Sequence, residues 1–296
     1  MILIAGPWVS SDIRNQFNTV AGAIGSGTTG ENFYEPEDIP DPQYGTAFAV
    51  YSEDDNSLMF YKRQGVPHIG DMFNDRRVTA VYTDFEERTA DYGDGKYDAG
   101  AWHYYDAEIK SVFVVDMGIR PKDISRWFSN LTALTAVNIR NLDMSECTEA
   151  TYLFHGCTSL TTVNLSNWQT PELVTVGGMF ERCDNLGSIN LNGWNAPKVT
   201  SCWFMLYGTA AEAIDLSGVT FGKIDSAQSL FSGNYSLKSV KFGAGIDFSS
   251  TTKCTRCFTT AASCSLIAPN GTFALMLNIA ISMRVLQAWF SPGRGN

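Results

Sequence analysis

The chain has 296 residues, 44% hydrophobic and 18% charged, with a net charge of −10, the composition of a globular protein with enough apolar residues for a large core. The acidity is lopsided: residues 1–126 carry 21 acids and 11 bases, whereas residues 127–296 carry 10 of each. No basic stripe interrupts either half, which argues against nucleic-acid binding.

Residues 1–46 read as an arm separate from the remainder of the chain. Ser10-Ser11-Asp12 is a helix-capping signal, and Ile13, Phe17, Val20, Ala21 and Ile24 fall on one face of the helix it would start. Gly25-Ser26-Gly27-Thr28-Thr29-Gly30 then forms a soft tether into acidic, proline-containing chain. Such a helix suits either a docking arm or a cap. The apolar start, Met1 to Ala5, has no basic region before it and meets Gly6-Pro7, so no secretory signal peptide is visible.

Residues 47–126 read as degenerate repeats. Ile109, Val112 and Val114 lie 25 residues before Leu134, Val137 and Ile139, and Met72-Phe73 with Val78 and Val81 resembles a shortened copy. Residues 84–105 would then be an insertion. Its surroundings are rich in aromatics: Tyr82, Tyr92, Tyr97, Trp102, Tyr104 and Tyr105 alternate with Gly, Asp and Ala. Rings of this kind offer contact area at low entropic cost, so Tyr92, Tyr97, Trp102, Tyr104 and Tyr105 are the expected ligand contacts, although some would simply fill the first repeat.

From 127 to 268 one unit recurs. Aligned on Phe128, Phe154, Phe180, Met205 and Phe231, the copies are 26, 26, 25 and 26 residues apart, and a degenerate anchor stands at Phe258. Six residues after most anchors stands a Leu, nine after stands Val or Ile, and eleven after stands another apolar residue, as in Leu160, Val163 and Leu165. Alternation over Val163-Asn164-Leu165 predicts a strand, Trp168 and Trp194 mark the slot after the next turn, and Met179 to Cys183 suits a short helical turn. A fixed period of this length means units that must stack to bury their faces.

The run Leu165-Ser166-Asn167-Trp168-Gln169-Thr170-Pro171, continued by Met179-Phe180-Glu181-Arg182-Cys183, resembles the leucine-rich repeat of BspA-like surface proteins, most clearly over 127–242. Gln169 and Asn195 stand where that family has Asp after Trp. The resemblance implies an α/β, right-handed, leucine-rich-repeat-like solenoid of short strands and helical turns. It also implies a non-enzymatic adhesion or binding module on a virion or bacterial cell surface, with a protein or glycan as ligand. The alternative is a structural virion component that contacts other virion proteins.

Residues 269–296 close the chain. Phe273 to Phe290 is apolar almost all round, with Arg284 inside it, which favours a buried capping helix or a homo-oligomer contact over a membrane span.

Seven cysteines are present, two of them, Cys157 and Cys183, in one repeat slot. They read as small buried side chains, and Cys254, Cys257 and Cys264 lack a nearby fourth ligand for zinc. Asp91-Tyr92-Gly93-Asp94-Gly95 lacks the alternating carboxylates of a calcium loop. His68, His103 and His155 accompany no nucleophile motif, and no nucleotide fingerprint occurs. No metal, cofactor or catalytic residue is expected.

Overall fold

The computed structural model describes residues 45–89, 102–249, 251 and 265–267. The arm over 1–46, apart from its last residues, Tyr92, Tyr97, the anchor Phe258, the 254–264 cysteines and the 273–290 helix all lie outside these residues.

Among the described residues the strands are β1 (Thr46–Ser52), β2 (Ser57–Arg63), β3 (Met72–Phe73), β4 (Arg76–Arg77), β5 (Ala80–Thr83), β6 (Ser111–Val114), β7 (Ala136–Asn138), β8 (Thr162–Asn164), β9 (Ser188–Asn190), β10 (Asn195–Ala196), β11 (Ala213–Leu216), β12 (Thr220–Phe221), β13 (Ser239–Phe242) and β14 (Ser265–Ile267). They build a β-solenoid of about five turns, with roughly 26 residues per coil. The repeat strands pair in parallel, with the predicted slots opposite one another: Val112↔Val137, Val163↔Ile189, Ile214↔Val240. Isolated bridges form another ladder, from Asp123 through Glu149, Thr175 and Ser201 to Ser226.

The expected helical turns are absent. The only helix among the described residues is the three-residue 3-10 turn His103–Tyr105. In the anchor segments, alternate N–H groups point in different directions. Met179 and Glu181 donate back three residues within the coil, to Val176 and Gly178, while Gly178, Phe180 and Arg182 donate to Trp203, Met205 and Tyr207 of the next coil. An α-helix would send all of these along its own axis. The tight local spacing imitates a helical turn in sequence, but half of its bonds run between coils.

These bonds set the true register. Phe128, Phe154 and Phe180 donate to the residues just before Phe154, Phe180 and Leu206, and Leu206 donates to Leu230. The fourth anchor is therefore Leu206; Met205 occupies the adjacent buried slot, beside Met179 and Leu153. The short copy is the stretch from Leu206 to Ile214, one residue tighter than Phe180 to Ile189. Counting 26 residues back from Phe128 gives Trp102, and its ring stacks on Phe128 at 6.3 Å. The column continues with Phe128 on Phe154 at 5.5 Å and Phe154 on Phe180 at 5.6 Å, the latter pair nearly coplanar. Trp168 and Trp194 form a second buried pair at 5.5 Å, as their shared slot implied.

The first end of the stack is capped by a hairpin that the repeat pattern does not anticipate. β1 and β2 pair antiparallel across the turn Glu53–Asn56, β5 pairs antiparallel with β1, and β2 lies parallel to β6, giving the order β5-β1-β2-β6-β7. Met72-Phe73 and Val81 thus belong to the cap: β3 and β4 form a tight antiparallel pair, and β5 is a cap strand rather than a coil. β1 and β2 are buried on both faces. One face, with Tyr51, Leu58 and Phe60, joins the solenoid core; the other, with Phe48, Val50, Met59 and Tyr61, packs under Val78. Arg76, nearly buried, is held by Asp55 at 2.5 Å. A solenoid end exposes unpaired strand edge, and this hairpin covers it.

Cys157 and Cys183 donate from Sγ to the anchor carbonyls of the preceding coil, Phe128 and Phe154, at 2.9 and 3.0 Å. Asn234 repeats the contact to Leu206 at 2.7 Å. The slot runs Leu131, Cys157, Cys183, Thr209, Asn234. Burial pushes the Cys147, Cys183 and Cys202 thiols up to about 12, and Cys157 well above its ordinary value.

Phe154→Ala should cost about 3–5 kcal/mol, because it removes a rung with a ring on either side, and Trp102→Ala should cost about as much. Urea unfolding followed by circular dichroism measures both. The four described thiols should resist iodoacetamide at pH about 8 in the folded chain and react once it is unfolded, as read by peptide mass spectrometry. Because their folded values are raised, their stabilisation is present below the unfolded value and is lost as pH climbs from about 9 toward about 12.

Candidate functional site

The expected contact residues are not brought together. Trp102 is fully buried, touching Phe60, Phe85, Trp127 and Phe128, and its indole N–H donates to the Trp127 carbonyl. It is a repeat anchor, and its place in the exposed patch is corrected accordingly. Tyr105 is half-buried and stacks on Tyr51 at 4.2 Å; burial raises the phenol of Tyr51 to about 12. Tyr104 is 85% exposed and meets Tyr105 edge-on. Tyr104 alone of the described three is a surface ring.

A richer surface lies on the anchor turns, where no sequence motif marks it. The inter-coil bonds align four slots around each anchor. Three residues before it stand Ser125, Thr151, Gly177, Trp203 and Gln228. Two before it stand Arg126, Tyr152, Gly178, Phe204 and Ser229. One after it stand His103, Ser129, His155, Glu181, Tyr207 and Ser232. Two after it stand Asn130, Gly156, Arg182, Gly208 and Gly233.

Rings from these slots form one tract. Arg126 lies over the Tyr152 ring at 4.4 Å, and Tyr152 meets His155 at 5.3 Å and Trp203 at 5.2 Å, both edge-on. Trp203 adjoins Phe204 at 6.1 Å, and Phe204 adjoins Tyr207 at 5.4 Å. All are half-buried. The third coil makes room for them with glycine: a Cβ at Gly177 would collide with the Trp203 indole, and one at Gly178 with the Tyr152 ring. Side chains at either position would lift both rings off the backbone.

The slot two before the anchor is left-handed in every described repeat coil: Arg126 (φ 60°), Tyr152 (60°), Gly178 (61°), Phe204 (53°) and Ser229 (53°). Glycine adopts this conformation freely, whereas bulky side chains are strained by about 1–2 kcal/mol. Three large side chains, Arg126, Tyr152 and Phe204, hold this conformation all the same.

On the same turns stands a row of buried polar atoms without partners. His103 Nε2, Ser129 Oγ, His155 Nδ1 and Glu181 Oε2 are closed off from solvent and have no hydrogen-bond partner among the described residues. They occupy one slot in four successive coils. His103 is oriented by Asp106, whose carboxylate lies 3.0 Å from Nδ1. Burial first, then Arg126 and Arg182, holds the His155 imidazole below its ordinary 6.5, so it is neutral at pH 7. Burial raises Glu181 above its ordinary 4.5, opposed by the same two arginines.

The other surfaces are committed to the fold. Asn138, Asn164, Asn190 and Asp215 each accept, through Oδ1, the N–H two residues on, closing the strand with an Asx turn. Exposed acids pair with lysines 26 residues later: Glu172 with Lys198, Glu212 with Lys238, Asp215 with Lys241. Among the described residues no cluster of three or more His, Cys, Asp or Glu could hold a metal, and no helix is long and apolar enough to cross a membrane.

Residues 122–242 match the model of a family described as Mycoplasma protein of unknown function, DUF285. The match begins at the first repeat ladder and ends with β13. No curated protein matches the chain.

His155→Gln should lessen acid sensitivity. With the folded pKa below the unfolded one, the unfolded chain takes the proton first, so stability falls as pH drops below about 6.5. Urea midpoints at pH about 7 and about 5 should therefore differ less in the variant than in the parent. Glu181→Gln should be most stabilising near neutral pH, since the penalty for its charge appears as pH rises past 4.5.

Proposed function

We propose that the chain is a non-enzymatic binding module of the BspA-like leucine-rich-repeat type, displayed on a virion or bacterial cell surface, and that it recognises a protein or glycan ligand through the anchor-turn face. One observation carries the reading: a continuous aromatic and polar tract, from Arg126 through Tyr152 and Trp203 to Tyr207, spans four coils on one side of a rigid stack. Large rings on a fixed scaffold lose little entropy when covered, and such residues dominate binding energies. The solenoid spacing and the motif run from Leu165 to Cys183 support the family type. A structural virion role, the other expectation, draws on residues 1–46 and 273–290, which lie outside the described residues.

The test uses the purified full chain, biotinylated, against immobilised bacterial cell walls and against a panel of extracellular-matrix proteins by biolayer interferometry. Saturable binding to one of these surfaces is expected. Trp203→Ala with Tyr207→Ala should weaken it by roughly thirtyfold, the equivalent of about 2 kcal/mol. Tyr104→Ala should leave it within about twofold. If Tyr104→Ala abolishes binding and the double variant does not, the contact surface is the cap-side loop instead.

A further inference from the structure

The tract on the anchor turns also carries information about what it would hold. Three classes of ligand make different demands. A nucleic acid or anionic polymer needs a row of cations. A hydrophobic peptide needs an apolar groove with few orphaned polar groups. A glycan needs ring faces beside groups that both donate and accept hydrogen bonds, because each sugar hydroxyl does both.

The charges at the tract are mixed. Arg126 and Arg182 stand beside Glu181, so there is no uniform field to attract an ion of either sign. The polar row holds both donors and acceptors: in order, the His103 imidazole beside Asp106, the Ser129 hydroxyl, the His155 imidazole, whose burial disfavours its charged form, and the Glu181 carboxyl. A partner hydroxyl can donate to one member of the row and accept from the next, which a methyl group or a phosphate cannot do. His155 and Glu181 are only half-buried, so part of each side chain reaches the surface.

The geometry of the stack adds a second constraint. The same slot recurs at every coil, and coils joined by β-ladders lie about 4.8 Å apart. That rise is close to the length of one pyranose ring along a linear chain. The polar row therefore repeats once per coil along the solenoid axis, with Tyr152 beside it on the Phe154 coil and Trp203 and Tyr207 beside it on the Leu206 coil.

We propose that the anchor-turn face, with Tyr152, Trp203 and Tyr207 as ring platform and His155 and Glu181 as hydrogen-bonding partners, is a binding tract for a linear, uncharged glycan lying along the solenoid axis. This rests on the binding-module reading above and narrows it to one ligand class.

The test titrates the full chain with cellohexaose, chitohexaose, xylohexaose and laminarihexaose, following tryptophan fluorescence and isothermal calorimetry. At least one hexaose should bind saturably, and its trimer should bind at least tenfold more weakly, because fewer coils are engaged. Raising salt from about 0.05 to about 0.5 M should change affinity by less than twofold, since no counterions are released. Trp203→Ala and, separately, Glu181→Met should each weaken binding tenfold or more while circular dichroism stays that of the parent. Glu181→Met keeps nearly the same volume, removes both oxygens and tests the polar row even if Trp203→Ala unfolds. Failure of all four hexaoses to bind, or binding untouched by Glu181→Met in a folded chain, overturns the glycan assignment. If the hexaoses fail while a matrix protein binds and is lost in the Trp203 and Tyr207 double variant, the tract reads protein and the binding-module reading stands. If neither binds, both readings fall.

Discussion

Backbone hydrogen bonds between coils decide almost everything else in this molecule. Each anchor turn spends alternate N–H groups on its own carbonyls and the others on the next coil. The second set forces like slots to lie on like slots at a rise of one coil. Chemical ladders then form without further instruction: rings on rings from Trp102 to Phe180, thiols on anchor carbonyls, Asx turns on Asx turns. The alternation also requires left-handed residues at two slots per turn, which is why Arg126, Tyr152 and Phe204 sit in a conformation that favours glycine.

Stacking like on like has a cost as well as a benefit. An aromatic or aliphatic slot gains contact area with every added coil. A polar slot gains only if the stacked side chains satisfy one another, and the solenoid has two outcomes side by side. In the slot three after the anchor, Cys157, Cys183 and Asn234 each reach a carbonyl of the previous coil, so polarity is absorbed. In the slot one after it, His103, Ser129, His155 and Glu181 do not. The two slots are two residues apart on the same turn, so backbone geometry does not explain the difference; the choice of side chains does.

The period, the strand slots and the burial of Phe154, Leu165, Trp168, Phe180, Leu191 and Phe231 were legible in the sequence, because inward-facing positions repeat chemically as well as positionally. Outward-facing positions repeat only in place, and this is where reading failed. Tyr152, Gly178 and Phe204 share a slot but no chemistry, so no pattern search unites them; counting offsets from the corrected anchors does. Trp102 looked like part of an aromatic loop because its neighbours, Tyr104 and Tyr105, are ordinary surface and cap residues, yet its distance of 26 from Phe128 was available. Met205 displaced Leu206 as anchor because a one-residue deletion can be placed on either side of a turn, and only the inter-coil bonds fix it. The cap hairpin carried its own signal, the apolar runs Ala47–Tyr51 and Leu58–Tyr61 around Glu53-Asp54-Asp55-Asn56, but strands buried on both faces lack the alternation that marked the repeats.

The division of labour among the surfaces is what favours the turns as the proposed recognition face. On the strand side, the amide and carboxylate side chains at the strand ends are already engaged: Asn164 and Asn190 hold their own turns, and Asp215 holds its turn and also Lys241. The lysine–acid pairs neutralise the flank without adding much stability, because both partners are exposed. A ligand there would have to break turn-closing bonds to gain its own. On the anchor turns main-chain bonds between coils do most of this work, with buried Ser125 and Asn234 adding side-chain contacts to the backbone. Rings lean over Gly177 and Gly178, where no side chain of that turn competes for the space. A face held mainly by its main chain is one on which the exposed side chains are free to vary toward a ligand.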